Sequence, residues 1–300
     1  MRTDDDSWDI TESVGATAVG VAAMRAAETR RPDALFQDPY AQKLVDAVGS
    51  GWSRLARGEV TAAQAHSSVY GPVGSFMTAR TVYFDDYFRA AAADGIRQIV
   101  ILAAGLDARA YRLEWPSGTV IFELDQPKVL EFKATVLADD VPAADRREVA
   151  VDLRQDWPKA LRDSGFDPAA PTAWLAEGLL RYLPHQAQDL LFENIVAASA
   201  PRSRIALNLG LGQRYATAET RAARADILAQ AGIRVDAESL WYPTEGRADP
   251  REWFAEHGWT VTPGDAVAVL TGHGREVPET AVPELNRHIL MTATRGEDDR

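Results

Sequence analysis

The chain contains no cysteine, which removes disulfides, thiolate nucleophiles and Cys-ligated zinc together and fits a reducing compartment. Its histidines, His66, His185, His257, His273 and His288, are scattered without an HExxH or other paired spacing, so no metal site is expected from them. No apolar run approaches the roughly 18 residues of a bilayer span. The opening MRTDDDSWD is acidic where a signal peptide would be basic. These absences predict a cytoplasmic protein with no membrane partner. Basic residues are in deficit as well: 32 Lys and Arg stand against 44 Asp and Glu, a formal charge of -12. A nucleic-acid partner would call for a basic footprint, so none is expected. Oligomeric state leaves no signature.

What is present is enough for a large core. A chain of 300 residues can bury about 75% of its unfolded surface. Its 46% hydrophobic and 25% charged residues are ordinary proportions, so the class has to come from pattern. The most informative stretch is QIVILAAGLDARAYRLEWPSGTVIFELDQP, residues 98 to 127. It reads as a strand buried on both faces (98 to 104), a small-residue turn, a helical connector and a second strand (119 to 124) that ends on Glu123 and Asp125. Ala103, Gly105 and Ala108 occupy the small positions of a dinucleotide fingerprint, and a carboxylate about 20 residues past the turn is where ribose hydroxyls are bound. Only one of those positions is glycine, however. A pyrophosphate also needs a helix N-terminus open to an anion, and Asp107 stands there, with Arg109 and Arg112 following. A cofactor with an adenosine and no phosphates, such as S-adenosylmethionine, suits that turn better.

Before this stretch the pattern is helical. Asp9 and Glu12 are spaced like a capping box ahead of a small-residue helix that carries Arg25. Asp38 and Pro39 start a second helix, and 49 to 74 reads as a loop or short helix. Residues 75 to 95 place Phe76, Ala79, Tyr83, Tyr87 and Ala90 on one helical stripe, closed by Gly95, with Arg80 at its edge. After the stretch, strands alternate with helices: a strand in 148 to 157 ending at Asp152 and Leu153, another ending near Glu177, a helix after Pro184 with Leu190, Leu191, Ile195 and Val196 inward, and a strand in 203 to 212. A helix at 217 to 231 and ESLWYPTEGR look like a lid insertion. A helix (250 to 257), a strand, a loop and a last strand (287 to 295) close the chain. The expectation is a Rossmann-like, mostly parallel α/β sheet flanked by helices. It forms a single domain made of an N-terminal helical cap (1 to 95), a cofactor-binding core (96 to 212), a lid insertion (213 to 249) and the C-terminal end of the sheet (250 to 300). Ligands of such sheets bind at the carboxyl ends of the strands, where Gly105, Asp107, Glu123, Asp125, Asp152, Leu153 and Glu177 fall. Acids around an adenosine and a sulfonium are electrostatically reasonable, whereas around a pyrophosphate they would repel.

Several strings in order, VGVAAMRAAE, FQDPYA, MTARTVYFDDYF, ILAAGLDARAYRL, FELDQP, VDLRQDW and AEGLLRYLP, give the chain a resemblance to the leucine carboxyl methyltransferase family, in particular its bacterial branch of S-adenosylmethionine-dependent methyltransferases. The resemblance implies that Arg80 pairs with the methionine carboxylate and that the Ala103 to Gly105 turn approaches the cofactor through its backbone. It also implies that Asp125 takes the ribose hydroxyls, that Asp152 and Leu153 hold the adenine, that Glu177 lies near the methionine amino group, and that Arg25 is a basic residue supplied by the first helix. The implied reaction is methyl transfer to a small-molecule acceptor. A carboxylate acceptor would need no general base, while a hydroxyl would draw on Tyr182 or His185. Arg181, Asn208, Arg214, Trp241 and Tyr242 are the acceptor-side candidates. Two alternatives stay open at this point: a nicotinamide-dependent oxidoreductase, and an S-adenosylmethionine-binding protein without turnover.

Overall fold

β1 (Gln98–Leu102) is buried at every residue. Ile99 and Ile101 enter one hydrophobic core, Val100 and Leu102 another, so strand alternation places a core on each face of the sheet. Burying such a side chain fully contributes about 1.5–3 kcal/mol. The computed structural model describes residues 13–60, 70–210, 218–235 and 237–297. β1 pairs in parallel with β2 (Val120–Asp125) and with β4 (Thr172–Ala176); β2 pairs with β3 (Asp145–Ala150), and β4 with β5 (Arg204–Gly210). β7 (His288–Arg295) joins antiparallel to β5, and β6 (Trp259–Gly264) antiparallel to β7. The order is β3-β2-β1-β4-β5-β7-β6, the mostly parallel α/β sheet that the alternation predicts.

Among the described residues, four helices precede β1: α1 (Ser13–Thr29), α2 (Pro39–Val48), α3 (Ser50–Ala56) and α4 (Tyr70–Ala93). α1 buries Ala16, Val19, Ala22, Ala23 and Ala26, a small-residue face that allows close helix approach. α2 starts as the sequence predicts, with Asp38 accepting the Ala41 N–H at 3.0 Å and Pro39 in the first turn. After β1 come α5 (Arg109–Arg112), α6 (Pro127–Val136), α7 (Trp157–Asp163), α8 (His185–Ala197), α9 (Ala218–Gln230), α10 (Pro250–Glu256), α11 (Ala266–Gly272) and α12 (Val282–Leu285). Side chains of α1, α4, α9, α11 and α12 fill one core, and those of α7, α8 and α10 the other.

Several expectations are corrected. The helical connector after the Ala103 turn is a single turn, α5, whose Arg109 and Arg112 side chains enter the ion cluster described below. The third strand is 145–150, fixed by its register from Val120↔Asp145 to Asp125↔Ala150; Asp152 and Leu153 lie in the loop beyond it. On α8, Leu190 is 54% exposed. The inward face is Gln188, Leu191, Phe192 and Ile195, which share one side of a 3.6-residue repeat. α4 begins at Tyr70, and Ala90 is exposed while Ala91 is buried. The expected loop between the last two strands holds α11, whose N-terminus Asp265 caps through the N–H groups of Val267 and Ala268, and α12. The Asp9–Glu12 capping box lies outside the described residues.

Candidate active site

The sheet order runs from β1 through β2 to β3 on one side and through β4 on the other, so the connections leaving β1 and β4 diverge and open a crevice at their carboxyl ends. A cavity of about 520 Å³ fills it, a size typical of small-molecule sites. The turn after β1 reverses on two left-handed residues, Ala103 (φ 51°) and Gly105 (φ 49°). Glycine adopts that region freely, whereas at Ala103 the methyl group costs about 1–2 kcal/mol. The expense of alanine there is therefore in the backbone and not in crowding of a ligand. The Gly105 N–H donates to Asp125 Oδ2 at 2.6 Å, and the Gln126 N–H donates to Oδ1 at 2.7 Å. The predicted turn and acid are thus tied to each other across the β1–β2 pair. Burial raises the Asp125 carboxyl above its usual value, against the pull of those two N–H groups. A carboxylate can accept about four hydrogen bonds, so a vicinal diol is a suitable further partner.

Beside the turn lies a buried ion cluster. Arg109, 1% exposed, donates from Nε to Asp85 at 2.7 Å and from Nη1 to Glu177 at 2.7 Å, and it also pairs with Asp107. Arg80 Nε stands 2.9 Å from the other Glu177 oxygen. Arg112 holds Asp85 at 2.6 Å. Arg25 pairs with Asp38 at 3.0 Å and donates to the Leu106 carbonyl at 2.6 Å. Arg25, Arg80, Arg109 and Arg112 thus balance Asp38, Asp85, Asp107 and Glu177. The acidic cluster anticipated from strand ends is neutralised by arginine. Glu123 belongs to a separate buried group: it pairs with Lys133 at 2.7 Å and Arg146 at 2.6 Å, and Lys133 Nζ also donates to the Asp107 carbonyl at 2.9 Å, holding the turn from beneath.

Burial pushes the Asp107 and Glu177 carboxyls upward, but neighbouring arginines more than compensate, led by Arg109 in both cases; Asp107 falls to about 2 and Glu177 below its usual value. Asp85 is likewise held low by Arg112 and Arg109 against desolvation. A depressed folded-state pKa gives stability that is present above the unfolded value of 3.8 and lost as pH falls toward the folded value of about 2. Asp107 alone then accounts for roughly 2 kcal/mol. Denaturant titrations between pH 5 and pH 2 should show unfolding free energy declining steeply; a flat profile would contradict the cluster. Asp125 acts with the opposite sign, since its raised pKa favours the folded state more as pH falls through that range.

The fit of the cluster to an S-adenosylmethionine head group can be judged from these charges. Burial, reinforced by Arg25 and Arg109, pushes Arg80 below the usual arginine range despite Glu177, so Arg80 gains from an additional anion. A zwitterionic amino acid would bring a carboxylate to Arg80 and an ammonium to Glu177 and leave the cluster neutral. The donor set therefore fits.

Of the residues singled out from sequence, Arg25, Arg80, Ala103, Gly105, Asp125, Asp152, Leu153, Glu177, Arg181, Tyr182, Asn208, Trp241 and Tyr242 all line the cavity. Asp152 is engaged by Arg154 at 2.6 Å. Asn208 Oδ1 accepts the Gly178 N–H at 2.8 Å, shaping the turn after β4. Arg181 donates to the Gly210 carbonyl at 3.2 Å and lies over the Trp241 ring at 5.2 Å. The Tyr182 hydroxyl is 3.3 Å from Thr17 Oγ1. His185 is corrected: it is exposed in the first turn of α8 and forms no part of the cavity wall, because the chain turns at Pro184 to begin the helix. Arg214 lies outside the described residues. Sequence reasoning missed the hub role of Arg109 and the whole of the wall formed by Glu284, Arg287 and His288. Among the described residues no group of three His, Cys, Asp or Glu is placed to hold a metal ion, and no helix is long and apolar enough to cross a membrane.

Comparison with known proteins places the chain in a family. The leucine carboxyl methyltransferase family model matches residues 18–196. A protein of Mycobacteroides abscessus is 53% identical, covering 93% of this chain and 94% of its own. One of Rhodococcus jostii is 50% identical, covering 98% and 100%, and one of Mycobacterium tuberculosis is 47% identical, covering 98% and 99%. All three are named as proposed S-adenosyl-L-methionine-dependent methyltransferases. A solved structure from Thermobifida fusca matches at a TM-score of 0.48 and 15% identity, covering 91% of this chain and 94% of its own. With a match of that extent, running through the turn, the acid and the arginine cluster, the chain belongs to the leucine carboxyl methyltransferase family and is an S-adenosylmethionine-dependent methyltransferase.

Proposed function

We propose that the enzyme methylates an oxygen, carboxylate or hydroxyl, of a small-molecule acceptor by in-line displacement. The observation that carries this reading is the continuity of one cavity from Asp125 and Arg80 to the wall formed by Trp241 and His288. Donor and acceptor would share one cavity. Asp125 would hold the ribose hydroxyls, Arg80 with Arg25 the methionine carboxylate, Glu177 the ammonium, and Asp152 with Leu153 the adenine. S-adenosylmethionine, when bound, supplies an electrophilic methyl group on a sulfonium. The protein's own task is to align an acceptor oxygen and exclude water, for which proximity can provide about 7–11 kcal/mol. Tyr182, at the wall, is the remaining candidate base of the two suggested by sequence. A nicotinamide reading is not favoured, since the one-turn α5 and the Arg109-bound Asp107 leave no open helix terminus for a pyrophosphate. A non-catalytic binding protein is not favoured either, given the family. The reading includes a cytoplasmic setting, supported by the absence of cysteine, and no nucleic-acid partner, supported by the acidic charge.

Arg80→Met tests the head-group assignment. Loss of a charge-assisted contact worth about 1.5–3 kcal/mol should weaken S-adenosylhomocysteine roughly 10- to 100-fold by calorimetry and leave adenosine nearly untouched; equal losses for both ligands would overturn it. Turnover is tested by incubating the enzyme and S-adenosylmethionine with a panel of hydroxyl, carboxyl, amine and carbon-nucleophile compounds and measuring S-adenosylhomocysteine release. Transfer only to nitrogen or carbon acceptors would refute the oxygen assignment.

A further inference from the structure

At the acceptor end of the cavity, His288 opens β7 and stands in register with Gly210 at the end of β5. Its ring is stacked on Phe76, centroids 3.5 Å apart and planes 13° from parallel. Its Nε2 is 3.3 Å from Glu284 Oε1, and Arg287 reaches the other Glu284 oxygen at 3.9 Å. Val73, Met77, Leu228 and Trp241 contribute apolar wall to the same cavity.

We propose that the methyl acceptor is a neutral hydroxyl carried on an apolar or aromatic body, and that Glu284, backed by His288, accepts the hydroxyl's hydrogen bond and disfavours carboxylates. This rests on the methyl-transfer reading above and narrows it to one acceptor class. The apolar wall favours a body that gains by leaving water. An ionised carboxylate is an acceptor only, so Glu284 is complementary to a group that carries a hydrogen, and an acidic acceptor would meet like charge at contact distance. The cations nearby do not reverse that sign. Arg80, 5.9 Å from the Phe76 ring on which His288 stacks, is paired with Glu177 at 2.9 Å and in the reading above takes the methionine carboxylate. Arg287 is already paired with Glu284 and is 43% exposed, so solvent screens it. Arg181 is held by the Gly210 carbonyl and the Trp241 ring. Burial also keeps His288 below the ordinary imidazole range, hence neutral near pH 7. Transfer to a hydroxyl forms the O–C bond and breaks the methyl–sulfur bond with its electron pair left on sulfur. The hydroxyl proton passes to the Glu284–His288 pair, which takes the base role in place of Tyr182, and then to solvent.

Equilibrium dialysis of the protein saturated with S-adenosylhomocysteine, against 2-naphthol and 2-naphthoate in parallel, separates the two acceptor classes at matched shape. The naphthol should bind at least about tenfold more tightly than the naphthoate. In Glu284→Gln, which keeps the size and removes the charge, the ratio should shrink to within about threefold, with S-adenosylhomocysteine affinity unchanged as evidence of an intact fold. Equal or tighter binding of the naphthoate by the unaltered protein, binding of neither compound, or an unchanged ratio in a folded Glu284→Gln variant would each overturn the proposal. The comparison in the unaltered protein stands even if the variant fails to fold. S-adenosylhomocysteine binding is measured first by calorimetry, and its failure would refute the methyltransferase reading itself.

Discussion

Arg109→Leu should lower the unfolding free energy by about 3–5 kcal/mol, the range observed when one partner of a buried ion pair is removed. The guanidinium is 1% exposed and is the common cation of Asp85, Asp107 and Glu177, whose side chains are 1%, 7% and 11% exposed. Leucine cannot compensate any of these charges, and Arg112 and Arg80 remain for Asp85 and Glu177 only in part. Lysine should recover less than half of the loss, because a point charge on a flexible stem cannot address three carboxylates as the planar fork of arginine does. Urea titration monitored by tryptophan fluorescence is the direct measurement. A loss under about 1 kcal/mol for the leucine variant would match a surface ion pair and rule out the cluster as described.

Asp125→Ala should weaken S-adenosylhomocysteine by roughly 10- to 100-fold, the equivalent of charge-assisted hydrogen bonds worth about 1.5–3 kcal/mol. The effect should appear equally with adenosine, in contrast to Arg80→Met, since Asp125 is assigned to the ribose that both ligands share. Calorimetry with the two ligands against both variants therefore separates the ends of the cofactor site. Unchanged binding in a folded Asp125→Ala protein would remove the ribose assignment. The buried carboxyl already resists ionisation, so the native protein holds at Asp125 a group that disfavours folding at neutral pH, a cost that makes sense at a ligand site.

Most of the cofactor half was legible because parallel strands carry their useful residues at one end. With 98 to 104 read as a strand buried on both faces, Gly105, Asp125 and Glu177 follow by position, and the 20-residue spacing from turn to acid survives as a hydrogen bond from Gly105 to Asp125. Charge compensation was not legible. Nothing in local spacing says that Arg109 will face Asp85 and Glu177, which are 24 and 68 residues away, so the acids read as a negative cluster around the ligand. His185 is a candidate base only by its nearness to a strand end, and its place in the first turn of a helix puts it on the surface. His288 was overlooked for the converse reason: β7 runs antiparallel and brings its first residue, not its last, to the ligand side. A rule that inspects strand ends misses a strand whose start matters.

That reversal bears on how new activities arise in such a chain. β6 runs in the direction of β1–β5, so its last residue, Gly264, and the first residue of β7, His288, lie on the ligand side and the span between them, with α11 and α12, bridges that side alone. Insertions, deletions or transplanted segments between 265 and 287 would remodel the acceptor wall without touching the residues that grip the methyl donor. Divergence of substrate range is thereby uncoupled from retention of the cofactor, and a chimera carrying this span from a relative should take on the donor's acceptor preference while keeping its own affinity for S-adenosylhomocysteine.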